Sequence, residues 1–230
     1  LVTELERLGL RWDQPLTTGR VALLRGQLAY FAGDVGLAIS EVTLSLSETR
    51  RYGLIGPQGP PLRTLCGMAV TAERWDLAES TAREFVTLAT STGEIAALPH
   101  GHNALAAVSL ARGDFDQASQ HVTDGLAVIR RTRSAYTLDD TLLAAARVAS
   151  AHGRSQEAAT LHAARERRHR TLGLIDPVPV GRLVDREVQQ LRADGDVPTT
   201  QDLTDRDDLL DMARAAVQPE APRERGGTGA

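Results

Sequence analysis

The chain has 230 residues, of which 42% are apolar but only 3% aromatic, and carries a formal net charge of −4. All 26 basic residues are Arg, so neither a P-loop lysine nor a Schiff-base lysine is available. The single Cys66 excludes an internal disulfide and a Cys-based zinc site, and the acidic balance argues against a nucleic-acid-binding surface.

Residues 1–15 begin with Leu1 and place Leu5, Leu8 and Trp12 at helical spacing. They are expected to be the remnant of an upstream repeat, in a fragment or processed chain. Residues 16–54 read as two helices: the first carries Val21, Leu24, Leu28 and Phe31, the second Ala38, Val42, Leu46 and Thr49. The Gly- and Pro-rich stretch 53–61 has no strand before it and no Lys-Ser/Thr after it, so it reads as a connector rather than a phosphate loop. Residues 55–94 repeat the pattern with Leu65, Met68, Ala69 and Ala72, then Ala78, Ala82, Phe85 and Ala89. Residues 95–133 do so with Leu105, Val108 and Leu110, then the stripe Ala118, Val122, Leu126 and Ile129. Pro99 suits a first helical turn, where its missing N–H does little harm.

In residues 134–174 the first helix opens on Asp139 and Asp140, which favour the positive end of the helix dipole. The second turns polar at Arg165, Glu166, Arg167, Arg168, His169 and Arg170, as a solvated end surface would. Residues 175–217 leave the register. A helix over 180–193 carries Val184, Val188 and Leu191 on one side. A second starts at Thr204, with Asp207 three residues on and Leu209, Ala213 and Ala216 as its buried face. These two form an expected C-terminal helical cap. Residues 218–230 are expected to be a disordered tail.

The segments share a 40-residue period. Gly33, Gly113 and Gly153 occupy one column, with Glu73 as its exception, where a helix stops and reverses. Val35, Trp75, Phe115 and Ser155 follow two residues later, three of them bulky enough to wedge the turn against the core. Ala38, Ala78, Ala118 and Ala158 form a column without exception, and Gly26, Cys66, Ala106 and Ala146 stand 12 residues before them. Small residues facing each other mark a closely packed helix pair. Gly53, Gly93 and Gly173 close the second helices, and Arg133 breaks that column. The pattern predicts an all-α protein, an α-solenoid of four helix-turn-helix repeats (16–54, 55–94, 95–133, 134–174) with a C-terminal cap.

These columns resemble tetratricopeptide (TPR) repeats, with a small residue in the first helix, a Gly at the turn, an aromatic two later and an Ala in the second helix. The longer period, Thr87-Leu88-Ala89-Thr90-Ser91-Thr92-Gly93-Glu94 and the stretch 153–174 look like the maltose-activator-like repeat regions of actinobacterial LuxR-type regulators and signal-transduction ATPases. The resemblance implies a non-catalytic sensor or scaffold region, binding a protein, a peptide or a small-molecule effector and capable of self-association. Any ATP would then belong to an upstream domain. A stand-alone TPR adaptor is the alternative. It also implies that the first helices line a concave groove, which places Arg20, Gln27, Tyr30, Arg63, His100, Asn103, Asp140 and Arg147 there. Several Arg would suit an acidic peptide or an anionic ligand. The Lys-rich carboxylate clamp of chaperone-binding TPR proteins is absent.

Catalytic, cofactor and metal sites are not expected. His100 and His102 stand i, i+2 and point to different sides of a helix, and no His-Glu-x-x-His or Gly-x-Ser-x-Gly motif occurs. Arg112-Gly113-Asp114 spells an adhesion tripeptide but sits in a repeat turn. Direct nucleic-acid binding through the Arg-rich end would show as affinity that falls steeply with salt. No apolar run reaches the length of a membrane span and no signal peptide is visible, so a cytoplasmic location is expected.

Overall fold

In the computed structural model, residues 4, 15–135, 137–194 and 205–218 are described. Among them the protein is all-helical, with no strand. The helices are α1 (Pro15–Ala32), α2 (Val35–Arg51), α3 (Gly59–Thr71), α4 (Trp75–Thr92), α5 (Leu98–Ala111), α6 (Phe115–Thr132), α7 (Leu138–Ala151), α8 (Ser155–Leu172), α9 (Val178–Ala193) and α10 (Arg206–Val217). The stretch expected as a connector is shorter than 53–61: a 3-10 turn occupies Gly56–Gln58, and α3 starts at Gly59 with prolines in its first turn.

The turns explain the hairpins. The backbone N–H groups of Asp34, Arg74, Asp114 and Arg154 donate to the carbonyls of Ala29, Ala69, Ser109 and Ala149, at 2.8–2.9 Å. This bond closes a helix only when the residue before the donor is left-handed. Gly33, Gly113 and Gly153 comply at φ +94°, +76° and +75°. Glu73 complies too, at +55°, without the freedom of Gly. Left-handed residues also end α2, α4, α6 and α8: Gly53, Gly93, Arg133 (+54°) and Gly173. The two exceptions in the sequence columns therefore keep the conformation and break only the residue preference. Asp34 and Asp114 add N-caps, accepting from Leu37 N–H and Gln117 N–H at 3.0 Å.

The small columns face each other. Ala38, Ala78, Ala118 and Ala158 are fully buried, as are Ala106 and Ala146, and Cys66 is nearly so. Gly26 is the tightest member: a Cβ there would stand 2.5 Å from Val42 Cγ2 and 2.9 Å from the Ala38 carbonyl oxygen. Successive hairpins α1–α2, α3–α4, α5–α6 and α7–α8 pack in chain order, and α3, α5 and α7 also touch along one side. One apolar core runs through α1 to α6, centred on Leu62, Leu65, Met68 and Phe85. A second joins α5 to α8 and α10, through Leu138, Leu142, Leu161, Leu209 and Leu210.

Several expectations are corrected. On α1 the buried face is Val21, Ala22, Gly26 and Ala29, whereas Leu24, Leu28 and Phe31 are exposed. Close approach to α2 selects small side chains for the contact and turns the large ones outward. Phe115 is 40% exposed rather than wedged into the core, its ring edge-on to His152 at 6.1 Å. The Arg-rich end of α8 is solvated only in part: Glu166 and Arg170 are exposed. Arg165 is 4% exposed and Arg168 is half-buried, with Nε donating to Asp139 Oδ1 at 2.9 Å. The N-cap of α10 is Asp205, accepting from the N–H groups of Asp207 and Asp208; Thr204 lies outside the described residues, as do Leu5, Leu8, Trp12 and 219–230. Helix α10 covers α6, α7 and α8, burying Leu209, Ala213 and Ala216. Helix α9 does something else: it packs on α8 and reaches back to α1. Among the described residues, no helix is long and apolar enough to cross a membrane.

Candidate functional site

The return of α9 to α1 bounds a half-open groove of about 500 Å³. Its walls are the first helices of the hairpins, α1, α3, α5 and α7, and its roof is the segment carrying Asp176, Pro177, Val180 and Leu183. The roof touches the first turn directly: a Cβ built at Gly33 would lie 3.6 Å from Val178 Cβ. Seven of the eight groove residues named from the sequence line this one cavity: Gln27, Tyr30, Arg63, His100, Asn103, Asp140 and Arg147. Arg20 lies on α1 away from it and is exposed.

Polar contacts between neighbouring first helices fix the walls. Tyr30 Oη and Thr71 Oγ1 share a hydrogen bond of 2.6 Å between α1 and α3. Burial pushes the Tyr30 hydroxyl up to about 12, so it stays protonated. Asn103 Nδ2 donates to Thr141 Oγ1 at 3.0 Å, tying α5 to α7. The Asn103 carbonyl oxygen is buried with no hydrogen-bond partner among the described residues, and it lies 3.8 Å from where a Cβ on Gly125 of α6 would stand.

The charges are balanced rather than basic. Arg63 and Arg147 face Asp140 and Asp176. Arg147 Nε donates to Glu187 Oε1 of α9 at 2.8 Å, and His162 Nε2 lies 3.7 Å from the other Glu187 oxygen. Arg165 grips Asp176 with two parallel bonds, Nη1 to Oδ2 at 2.9 Å and Nη2 to Oδ1. Two acidic residues of the α9 segment thus occupy two Arg of the body. Asp140 is 56% exposed, but only into the groove, where protein surrounds it. Burial pushes its carboxyl up to about 6, with Arg165 opposing and Asp139 and Asp176 adding to the rise. His100 Nδ1 is 3.7 Å from Asp140 Oδ2, but burial and then Arg63 push this imidazole down to about 4. It is therefore neutral at pH 7, and the contact is not an ion pair.

The resemblance to TPR repeats led to the walls but not to the roof. Asp176 and Glu187 lie where the register has ended, and no local pattern says that their helix turns back across the groove. The polarity of Arg165, Glu166, Arg167, Arg168, His169 and Arg170 pointed to a solvated end rather than to a partner segment. The signal for a different role was an acidic residue just past the left-handed Gly173, within reach of the preceding turn. In comparisons with known proteins, no family model, curated protein or solved structure matches this chain.

Proposed function

We propose that this chain is a non-catalytic binding module, an α-solenoid of TPR-like hairpins whose half-open groove takes a small-molecule effector. The observation that carries this reading is the cavity itself. A volume of about 500 Å³ falls in the range of small-molecule sites, roughly 300–1,000 Å³. Apolar walls from Met68, Val70, Leu143 and Leu183 meet a few convergent polar groups there. The apolar walls suit a hydrophobic body, and the balanced set of Arg63, Arg147, Asp140 and Asp176 suits a ligand that carries polar groups of both signs. The setting favoured by the resemblance is the sensor or scaffold region of an ATP-dependent bacterial regulator.

A stand-alone adaptor for a protein or peptide is the second reading, and one observation favours it. The segment of Asp176 and helix α9 crosses the groove and presents Asp176 and Glu187 to Arg165 and Arg147, much as an acidic partner segment would. In that reading α9 must leave before a partner enters.

The test is a thermal-shift screen of small anionic and amphipathic compounds against wild type and Gly67→Phe. Gly67 lines the cavity, and a Cβ there meets nothing within 4 Å, so the variant fills the space without a clash at the backbone. A compound that stabilises wild type and leaves Gly67→Phe unmoved supports the effector reading. Equal stabilisation of both proteins removes the cavity as the site.

A further inference from the structure

A second cluster lies apart from the groove, on the side of α5 that faces α6. His102 of α5 and His121 and Asp124 of α6 each offer a ligand atom, and these atoms lie within 4.8 Å of one another. All three side chains are partly buried. His121 and Asp124 are i, i+3 and so share a face of α6. Gly125 is buried beside them, with His102 Cβ 3.8 Å and Pro99 Cβ 3.7 Å from where its own Cβ would stand. The missing side chain leaves room for His102 against α6. Gln120 Nε2 donates to Asp124 Oδ1 at 2.8 Å and orients the carboxylate. The two imidazole rings are 6.1 Å apart and tilted by 43°. His102 Nδ1 is buried with no hydrogen-bond partner among the described residues, so the protein supplies nothing to that nitrogen.

We propose that His102, His121 and Asp124 form a binding site for a first-row transition cation of the zinc class. Two imidazoles and one carboxylate match the donors that such ions take, whereas calcium and magnesium call for more oxygens. Tetrahedral coordination at about 2.0–2.1 Å brings ligand atoms to about 3.3 Å from one another, so the side chains close inward by an ångström or so on binding. Three protein ligands leave a fourth position for water or an outside donor. The bound ion pins α5 to α6 independently of the groove. Electrostatics favour the ligand form: burial lowers both imidazoles from the usual histidine value, and for His121 the neighbouring His102 lowers it further while Asp124 opposes. Arg83 and Asp114 are the other charged groups facing His121, and Arg83 is held by Glu79 at 2.8 Å.

The test uses the full chain without a histidine tag. Zinc is titrated by calorimetry, cobalt(II) by its visible absorption, against wild type, His121→Ala, Asp124→Asn and the control His169→Ala. Wild type and His169→Ala are expected to bind one ion, with a raised unfolding temperature and cobalt absorption of tetrahedral intensity. Loss of a direct ligand is expected to weaken affinity by at least about tenfold, the lower end of what outer-shell changes cost. Affinity is also expected to fall as pH drops below the ordinary histidine range and the imidazoles take up protons. If His121→Ala proves unfolded by circular dichroism, Asp124→Asn and the cobalt spectrum decide. Absence of saturable binding, or zinc affinity unchanged in the folded ligand variants, overturns the proposal; the latter would assign the ion to His152, His162 or His169.

Discussion

Gly26→Ala should destabilise the protein although it replaces Gly by the best helix former in the middle of α1. The propensity gain is about 1 kcal/mol. Against it stands the contact with α2, where the new methyl would lie 2.5 Å from Val42 Cγ2 and 2.9 Å from the Ala38 carbonyl oxygen. Val42 is β-branched and holds one rotamer in a helix, and the carbonyl belongs to the α2 backbone, so relief requires the helices to part. Overpacking of this kind costs about 1–3 kcal/mol, which outweighs the gain and leaves a net loss of up to about 2 kcal/mol. Gly67→Ala supplies the control. Gly67 is also inside a helix, but its Cβ would meet nothing within 4 Å, so about 0.5–1 kcal/mol of stabilisation is expected. Urea unfolding of the two variants beside wild type, with equal m-values, reads both signs. Stabilisation by Gly26→Ala as large as that by Gly67→Ala would refute the close approach of α1 and α2.

Glu73→Gly and Arg133→Gly should each stabilise by a few tenths to about 1 kcal/mol in the same assay, because both residues stand at positive φ where only Gly is unstrained. Asp176→Asn should cost about 3–5 kcal/mol, since it leaves the 4%-exposed Arg165 without its carboxylate; Arg165→Leu combined with Asp176→Leu should recover part of that loss. Stability should fall between pH 6.5 and pH 4. His100 and His162 are pushed down to about 4, by burial first and then by Arg63 for His100 and by Arg147 and Arg165 for His162. Each contributes stability that is complete above the unfolded value of 6.5 and is lost as pH falls through the folded one, about 2 kcal/mol per residue at pH 5. Urea midpoints at pH 7 and 5 check this, and His100→Gln with His162→Gln should flatten the difference. Asp140→Asn should gain stability at pH 7 and none at pH 4, because a carboxyl raised to about 6 contributes most below its unfolded value and loses that contribution as pH rises.

The helical hairpins were legible because their causes are local. A left-handed residue, a small residue and an apolar stripe each act within a turn or two, and Ala38, Ala78, Ala118 and Ala158 are all fully buried where their column put them. The first helix misled because Leu24, Leu28 and Phe31 match the helical period as well as Val21, Ala22 and Ala29 do, and size rather than hydrophobicity decides which face meets α2. Tyr30, Arg63, His100 and Arg147 could be named because the resemblance to TPR repeats implies which positions of the first helices face a groove, and all four line the cavity. Asp176 and Glu187 could not, since their partners Arg165 and Arg147 are 11 and 40 residues away and the helix between carries no repeat signal. The His102–His121–Asp124 cluster was hidden for the same reason: on a single helix His102 has only His100 nearby, and its other neighbours arrive with α6.

The most direct test is to lock the roof of the groove in place. Gly33→Cys with Val178→Cys would put two Cβ atoms about 3.6 Å apart, within the span of a disulfide, at a cost of about 1–2 kcal/mol for a side chain at φ +94°, while Cys66 is buried. Oxidation should link residues 33 and 178 in one chain, read by mass spectrometry of proteolytic fragments, and the linked protein should still bind the small-molecule effector found by the screen. Failure of the link to form in folded protein would contradict the placement of α9 over α1. Linkage that abolishes all binding, restored by reduction, would contradict the effector reading and show that α9 gives way to a larger partner.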